Sequence, residues 1–152
     1  MKPNSTRLQV MLELDTFLPY RLSVLSNQIS QGIARTYEQR FGLSVTEWRV
    51  IAILGRFPGI SASEIGERSA MDKVAISRAV NRLIEQGRVE REASAADRRT
   101  RHLYLTREGR SVFDAIVPAA LDYERRLLAC LDETEREQLD RLVDRLSEVS
   151  RA

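Results

Sequence analysis

Apolar residues recur at helical spacing in several blocks of the chain, and these blocks predict most of its elements. A long first helix should begin near Pro19, a residue that suits a first helical turn, and end at Gly42. The apolar stripe on this helix is wide enough for an ordinary core or for a dimer interface. A similar helix near the C-terminal end of the chain favours the interface. The stripe continues to Phe41 and consists of Leu22, Leu25, Ile29, Ile33 and Tyr37.

Caps and stops divide the next part of the chain into three shorter helices. Ser44, Ser61 and Asp72 each precede an apolar periodic run, which predicts helices that begin after them. A glutamate follows three residues after each serine, so both sites predict capping boxes, in which each side chain satisfies a backbone N–H of the other. Of these three helices, the one after Ser44 should end near residue 57, before a Pro-Gly pair. The one after Ser61 should end near residue 69, and Gly87 should stop the one after Asp72.

A hairpin should follow these helices. Residues 88–92 and 101–105 alternate polar with apolar residues at a period of two, which is typical of β-strands. The tip between the strands carries Asp97, Arg98 and Arg99. The hairpin would hold the two arginine cations of the tip beside the third short helix; a plain solvated turn is the alternative.

Two further helices close the chain. Thr106 should cap the first, in which Pro118 predicts either a kink near Asp114 or two abutting helices, because proline removes a backbone hydrogen bond. Asp132, with Glu135 three residues on, predicts another capping box and starts the last helix. Charges flank a narrow apolar seam on that helix, a pattern typical of dimer helices. The seam consists of Leu139, Leu142, Val143, Leu146 and Val149.

The helix after Asp72 has a polar face opposite its apolar stripe. A helix can enter the major groove of B-DNA, where Arg reads guanine, Asn reads adenine and small apolar groups touch thymine methyls. Base contacts should come from its N-terminal half. A solvated face is the alternative, but the adjacent arginine-bearing hairpin favours DNA. The candidate DNA-binding residues on this helix are Lys73, Val74, Ala75, Ser77, Arg78, Asn81 and Arg82.

These residues together resemble the MarR-type winged helix-turn-helix transcription regulators, over nearly the whole chain. The resemblance is carried by the segment LSVTEWRVIAILGRFPGISASEIGERSAMDKVAISRAVNRLIEQGRVERE, by the tip Asp97-Arg98-Arg99, and by the run LYLTREG at residues 103–109. It implies that the third short helix reads the major groove. It also implies that Arg99 at the wing tip enters the minor groove and that Asp97 orients Arg99.

The predicted fold is mainly α with a small β-hairpin wing, in a single domain over residues 1–152. Residues 44–106 would form the winged helix-turn-helix DNA-binding region, and residues 18–41 and 107–150 the dimerisation helices. A homodimer would read a pseudopalindrome whose half-sites lie about 10–10.5 bp apart, or a multiple of that distance.

Charge is divided unevenly along the chain. The net charge is +2 overall, but +5 over residues 68–110 and −4 over residues 111–152. The basic centre suggests that phosphate contacts concentrate on the helix pair and the hairpin. Hydrophobic residues make up 43% and charged residues 30% of the chain. Since it has no apolar run of about 18 residues and no signal-peptide core, we expect a cytoplasmic protein without a membrane partner.

Few residues could carry catalysis. The chain has one His, His102, and one Cys, Cys130, and no Gly-rich phosphate loop, HExxH or CxxC. We therefore expect no enzyme, no metal site and no cofactor. His102 on the hairpin should face the surface or a phosphate, and Cys130 among leucines should be a buried structural thiol.

The resemblance also implies an effector pocket between the long first helix, the Trp48 helix and the DNA-binding region. Phenolic or aromatic acids are the implied ligands, and the likeness to members that control aromatic-acid breakdown adds coenzyme A thioesters. Arg21 could pair with a carboxylate or phosphate, and Asn27 could bind a hydroxyl; plain surface positions are the alternative for both. Trp48 is expected to anchor the core, with a cavity wall as the alternative.

The sequence thus predicts a homodimeric, sequence-specific repressor that binds double-stranded DNA and is released by an aromatic acid or its coenzyme A thioester. An effector-independent repressor or architectural DNA-binding protein is one alternative. A helical dimeric module whose basic face binds protein carboxylates is another. Salt distinguishes DNA from protein carboxylates, because binding through several phosphates falls steeply as salt rises.

Overall fold

The computed structural model describes residues 10–93 and 101–152. A short 3-10 turn, Leu14–Thr16, precedes the first α-helix. The fold is mainly helical with a small β-hairpin, as predicted. The elements are α1 Leu18–Ala34, α2 Glu38–Phe41, α3 Val45–Arg56, α4 Ala62–Ser69, α5 Lys73–Glu85, β1 Val89–Ala93, β2 Arg101–Leu105, α6 Arg107–Leu128 and α7 Glu133–Arg151.

The core lies between α3, the helix pair α4–α5, the hairpin and the start of α6. Val50, Ile51 and Leu54 of α3 are fully buried at its centre. Burial of apolar side chains is the main stabilising term in folding, so the helix pair is fixed chiefly by its packing on α3. The other core members include Ile65, Ile76, Val80, Leu83, Val89, Leu103, Val112 and Ile116.

The predicted helix starts are confirmed, but a complete capping box forms at only one of the three predicted sites. The side chains of Ser44 and Ser61 accept the N–H of the residue three positions on, at 3.1 and 3.2 Å. The glutamates at those positions return no hydrogen bond to the cap, so that half of the prediction was wrong. Asp132 and Glu135 form the complete box. Glu47 is instead buried and reaches α5.

The first helix is shorter than predicted. The apolar stripe predicts a helix to residue 41, but α1 ends at Ala34 and α2 follows a turn. The hydroxyl of Thr36 donates to the carbonyl oxygen of Ile33 at 2.7 Å, and the Thr36 backbone N–H donates to the same oxygen at 3.0 Å. These bonds span three residues instead of four, so the α-helical pattern stops. Gly42, with φ of 63°, ends α2 as the predicted stop.

The helix α6 is continuous despite Pro118 in its interior. Thr106 caps it as predicted, accepting the N–H of Gly109 at 3.0 Å. Pro118 cannot donate to the carbonyl of Asp114, but both residues are exposed, so water can bind that carbonyl. The alternative of two abutting helices was therefore wrong, and the kink near Asp114 stays a prediction.

The hairpin pairs as predicted and is anchored to the loop between α3 and α4. The strands are antiparallel, with Val89 opposite Leu105. The Leu103 N–H donates to the carbonyl of Ile60 at 2.9 Å, and the Gly59 N–H donates to the carbonyl of Leu103 at 2.9 Å. These bonds fix the base of the hairpin relative to α3.

Apolar faces of α1 and α7 are left uncovered by the rest of the chain. Leu22 and Leu25 of α1 are each 48% exposed, and the seam residues of α7 are 41–76% exposed. Contiguous apolar surface of this kind marks a place that another molecule covers. Across residues 10–93 and 101–152, no helix has both the length and the apolar character needed to cross a membrane.

Gly109→Ala is expected to lower the free energy of unfolding by about 1–3 kcal/mol, the usual effect of overpacking. A Cβ at position 109 would clash with the carbonyl oxygen of Arg88, a backbone atom held by its bond to the Thr106 N–H. Gly66→Ala is the matched control, because its Cβ would meet only the Met71 carbonyl oxygen, at 3.8 Å. Urea denaturation of both variants compares them, and equal stabilities would contradict the close approach.

Candidate nucleic-acid interface

The helix α5 presents its core residues and its candidate DNA-binding residues on opposite faces, as the sequence predicts. Ile76, Val80 and Leu83 are buried. The opposite face is largely exposed, so most of its side chains are available to another molecule. On that face Ala75 is half-buried, and the exposed residues are Lys73, Val74, Ser77, Arg78, Asn81 and Arg82.

The N-terminal half of α5 is capped, and its exposed basic side chains make no polar contact with other described residues. A carboxylate oxygen of Asp72 accepts the N–H of Ala75 at 3.3 Å, confirming the predicted cap. Among the residues that the structure describes, Lys73 and Arg78 have no hydrogen-bond or ion-pair partner. Val74 beside them is 55% exposed. Free cations next to an exposed apolar group suit phosphates, base edges and thymine methyls.

The C-terminal half of α5, by contrast, is tied to neighbouring elements. The Asn81 side-chain oxygen accepts a hydrogen bond from Arg91 of β1 at 2.6 Å. The Nε of Arg82 lies 3.4 Å from a carboxylate oxygen of Glu47 in α3. Neither partner could be predicted from the sequence, because each pair joins different elements and no periodicity relates its members. These contacts connect α5 to α3 and to the hairpin.

The predicted wing-tip residues Asp97, Arg98 and Arg99 lie outside the described residues, so their positions stay a prediction. Below the tip, Arg91 and Arg101 are exposed on β1 and β2. They add two guanidinium groups to the basic surface beside α5. Sequence analysis did not single them out, although the alternating strand pattern contains both.

His102 makes a structural contact at the base of the hairpin. Its Nδ1 lies 2.7 Å from the carbonyl oxygen of Gly59, and the residue is half-buried. A carbonyl only accepts hydrogen bonds, so Nδ1 carries the proton in this contact. This contact forms because the hairpin base packs against the α3–α4 loop, and the surface or phosphate-facing role of His102 stays a prediction.

The three ligand-site candidates are not brought together within the chain. Arg21 and Asn27 are exposed on α1. Arg21 lines a groove of about 350 Å³ that includes neither Asn27 nor Trp48. Trp48 packs between Tyr37 and Phe113, with ring centroids 5.8 and 6.4 Å away. This is the core-anchor position that the sequence favoured for Trp48.

Tyr37 belongs to the same aromatic cluster and stays uncharged at physiological pH. Burial, followed by the nearby Glu38 carboxylate, raises the pKa of Tyr37 to about 12. Tyr37, which was predicted to lie on the apolar stripe of a long first helix, is part of the core beneath α3.

Arg49 links the first helix to the DNA-binding region and was missed by sequence analysis. One terminal nitrogen donates to the Ser30 hydroxyl of α1 at 3.0 Å, and the other lies 3.8 Å from the Met71 sulfur, just before α5. These partners are far apart in sequence, so only the fold reveals the bridge. Arg49 thereby joins α1 to the segment just before α5.

Cys130 is exposed in the turn between α6 and α7, contrary to the predicted buried thiol. The leucines around it suggested a core, but Leu127 is itself 38% exposed. Within the described ranges, no three His, Cys, Asp or Glu side chains are grouped as a metal ion requires.

Sequence and structure comparisons agree with this geometry. A profile described as MarR family matches residues 41–100. Transcriptional regulator HosA of Escherichia coli is 28% identical over 122 residues, which cover 80% of this chain and 90% of HosA. An HTH-type transcriptional repressor of Mycobacterium bovis is 27% identical over 134 residues, covering 86% of this chain and 91% of the repressor. A crystal structure of a MarR/EmrR family regulator from Acinetobacter sp. ADP1 has a TM-score of 0.84 and 29% identity, covering 93% of this chain and 100% of that chain.

The profile match begins just before α3 and includes α4, α5 and the first strand of the hairpin, β1. The similar proteins are named as regulators of transcription, and the structural likeness extends over the flanking helices as well. A capped helix with free cations on its outer face is the feature that such a regulator needs for reading DNA. The chain therefore shares the sequence profile and the fold of the MarR family of winged helix-turn-helix transcriptional regulators, which are DNA-binding proteins and not enzymes.

Proposed function

We propose that this regulator is a homodimeric repressor that occupies a pseudopalindromic operator and leaves it when a small aromatic acid or its coenzyme A thioester binds. The observation that carries the proposal is the capped N-terminal half of α5, where Lys73, Val74 and Arg78 are exposed. The Mycobacterium bovis relative, named a repressor, supports the direction of regulation. Residues 44–106 would bind DNA, and the helices within 18–41 and 107–150 would dimerise.

In this proposal α5 lies in the major groove and the wing enters the neighbouring minor groove. Arg78 is assigned to a guanine edge, Val74 to a thymine methyl, and Lys73 to a phosphate near the helix start. Arg99 is assigned to the minor groove, whose negative potential is strongest where A·T pairs narrow it. The remaining assigned contacts are Ala75, Ser77, Asn81, Arg82, Asp97 and Arg98.

A second copy of the chain is the partner that fits the uncovered apolar faces. A groove of about 500 Å³ between α1, α6 and α7 is lined mainly by apolar side chains, among them Ile29, Leu127 and Val143. It continues into the seam of α7, whose flanking charges resemble those of paired helices. Two-fold pairing would place two α5 helices against half-sites about 10–10.5 bp apart or a multiple.

The effector would act at the joint between the dimerisation helices and the DNA-binding region. A cleft of about 750 Å³ opens there between α3, α4 and the end of α7. In it the Arg68 guanidinium lies 3.8 Å from the centroid of the Phe57 ring, and Arg151 lines the opposite side. An arginine pairs strongly with a carboxylate, and an aromatic wall accepts a ring, so the cleft suits an aromatic acid. The other candidate position for the acid is the one predicted from sequence, with Arg21, Asn27 and Trp48.

Effector and operator are expected to weaken each other's binding by the same factor, about 5–150-fold, which corresponds to a coupling of about 1–3 kcal/mol. A ligand can release DNA only if it favours a distance between the two α5 helices of the dimer that does not match the operator. Calorimetric titration of aromatic acids and their thioesters, with and without an operator duplex at one salt concentration, measures both factors.

Paired variants locate the effector in the same experiment. Arg68→Ala should abolish ligand affinity if the acid binds in the α3–α4–α7 cleft, whereas Arg21→Ala should do so if it binds along α1. Arg49→Ala should retain ligand binding but reduce the coupling, because it removes the bridge between α1 and the region before α5. If no compound in the panel changes operator affinity, an effector-independent repressor describes the protein better.

A further inference from the structure

Glu47 is a charged side chain in an environment where charged side chains are rare. It is 3% exposed, and it is the one charged residue buried among those that the structure describes. One carboxylate oxygen lies 3.4 Å from the Arg82 Nε, while the other is buried without a hydrogen-bond partner. Burial of an incompletely paired carboxylate opposes folding. Glu47 therefore calls for an explanation other than stability.

Capping does not supply that explanation. The Ser44 hydroxyl already accepts the Glu47 backbone N–H at 3.1 Å and completes the start of α3. The Glu47 side chain makes no return bond to the cap and turns toward α5 instead. An alanine at this position would leave the Ser44 cap intact, so the carboxylate is not required for the helix.

Arg82 is held at one point and is free beyond it. Its side chain is 64% exposed, and the contact with Glu47 uses Nε. Within the described part of the chain, the two terminal nitrogens have no partner. Because the guanidinium is planar and rigid, an ion pair at Nε restricts the directions in which the terminal nitrogens can point.

We propose that Glu47 is a positioning residue for DNA binding, whose carboxylate holds Arg82 so that its terminal nitrogens meet a phosphate of the operator. A phosphate is the fitting acceptor because Arg82 lies in the C-terminal half of α5, whereas base contacts come from the N-terminal half. Glu47 itself does not touch DNA. The inference rests on the proposed placement of α5 in the major groove.

The proposal is tested by whether removal of one negative charge raises or lowers the affinity for DNA. Glu47→Gln removes a negative charge, which by general electrostatics should strengthen binding to DNA. Positioning predicts the opposite, a loss of about fivefold near 0.15 M salt, the contribution of one phosphate contact, and a salt slope smaller by about 0.9. Glu85→Gln is the matched control, since it removes the same charge from an exposed position on α5. It should bind as tightly as the wild type or slightly more tightly.

Affinities are measured by fluorescence anisotropy across a salt series, with the full-length protein and a duplex enriched from a random pool by the wild type. In an Arg82→Ala background, Glu47→Gln should cause no further loss. Binding of Glu47→Gln as tight as that of Glu85→Gln, or an equal loss in both backgrounds, would overturn the proposal.

Arg82→Lys decides the matter independently of whether Glu47→Gln folds. Lysine keeps the charge but has no Nε–H with two nitrogens beyond it, so Arg82→Lys should bind more weakly than the wild type. Binding at the wild-type level would refute positioning. The placement of α5 is checked separately: if neither Lys73→Ala nor Arg78→Ala weakens binding, that placement is wrong, whatever Glu47 does.

Discussion

Replacing Leu142 by glutamate is expected to separate the proposed dimer and to lower operator affinity by about 10³-fold or more. Leu142 is 50% exposed in the single chain, so each chain should still fold. In a dimer the new carboxylate would be buried against the seam of the partner's α7, without a counter-charge. A monomer reads only one half-site, and its affinity falls toward that of non-specific binding.

Arg141→Gln is the control for this variant, since it changes the charge of α7 by the same unit at an exposed neighbouring position. Helical spacing places Arg141 on the face away from the seam. Sedimentation equilibrium gives the mass, and anisotropy with the selected duplex gives the affinity at one salt concentration. A Leu142→Glu variant that stays dimeric would show that the seam is not the interface. A monomer with full affinity would refute two-site reading.

The parts of the fold that the sequence predicted are those set by local chemistry. Ser61, Asp72 and Thr106 were recognised as caps because each needs only its own hydroxyl or carboxylate and an N–H three residues on. The hairpin followed from a period of two, and its register is observed from Val89 to Ala93. The faces of α5 followed from helical periodicity, because burial on α3 needs apolar residues on one side.

The parts that the sequence did not predict depend on competition between local and distant contacts. The break after α1 arises from the Thr36 hydroxyl, which competes for a helical carbonyl while an apolar stripe continues past it. Glu47 fits a capping box in sequence, but in the fold Arg82 of α5 is the partner of its carboxylate. The contact of His102 with Gly59 was not predicted, because it exists only after the hairpin packs on the α3–α4 loop.

The residues of the candidate site also fall into two groups, those that a local pattern predicts and those whose roles depend on other elements. Periodicity alone separated the exposed residues of α5 from its buried ones, so Lys73 and Arg78 could be found before the fold was known. Arg91 and Arg49 could not, because their roles depend on Asn81 and Ser30 in other elements. For the effector, the sequence pointed to Arg21, whereas the larger cleft beside Arg68 is formed by three helices that no local pattern relates.

Arg78→Ala is expected to weaken binding to the preferred duplex by about 5–150-fold, or about 1–3 kcal/mol, and to relax the preference at one base pair per half-site. Arg78 is exposed in the N-terminal half of α5 and has no partner among the described residues that would divert it from DNA. Loss of a bidentate contact to guanine removes discrimination as well as affinity, because the other base pairs present a different donor and acceptor pattern at that position.

Comparison with Lys73→Ala distinguishes a contact to a base edge from a contact to a phosphate. Both substitutions remove one positive charge from exposed positions within the first two turns of the same helix. A lysine on a phosphate contributes equally to every sequence, so Lys73→Ala should weaken all duplexes alike and reduce the salt slope by about 0.9. Competition titrations against duplexes with single base-pair changes measure both variants. If Arg78→Ala also loses affinity equally on every duplex, Arg78 contacts a phosphate, and specificity must come from other residues of α5 or from the shape of the DNA.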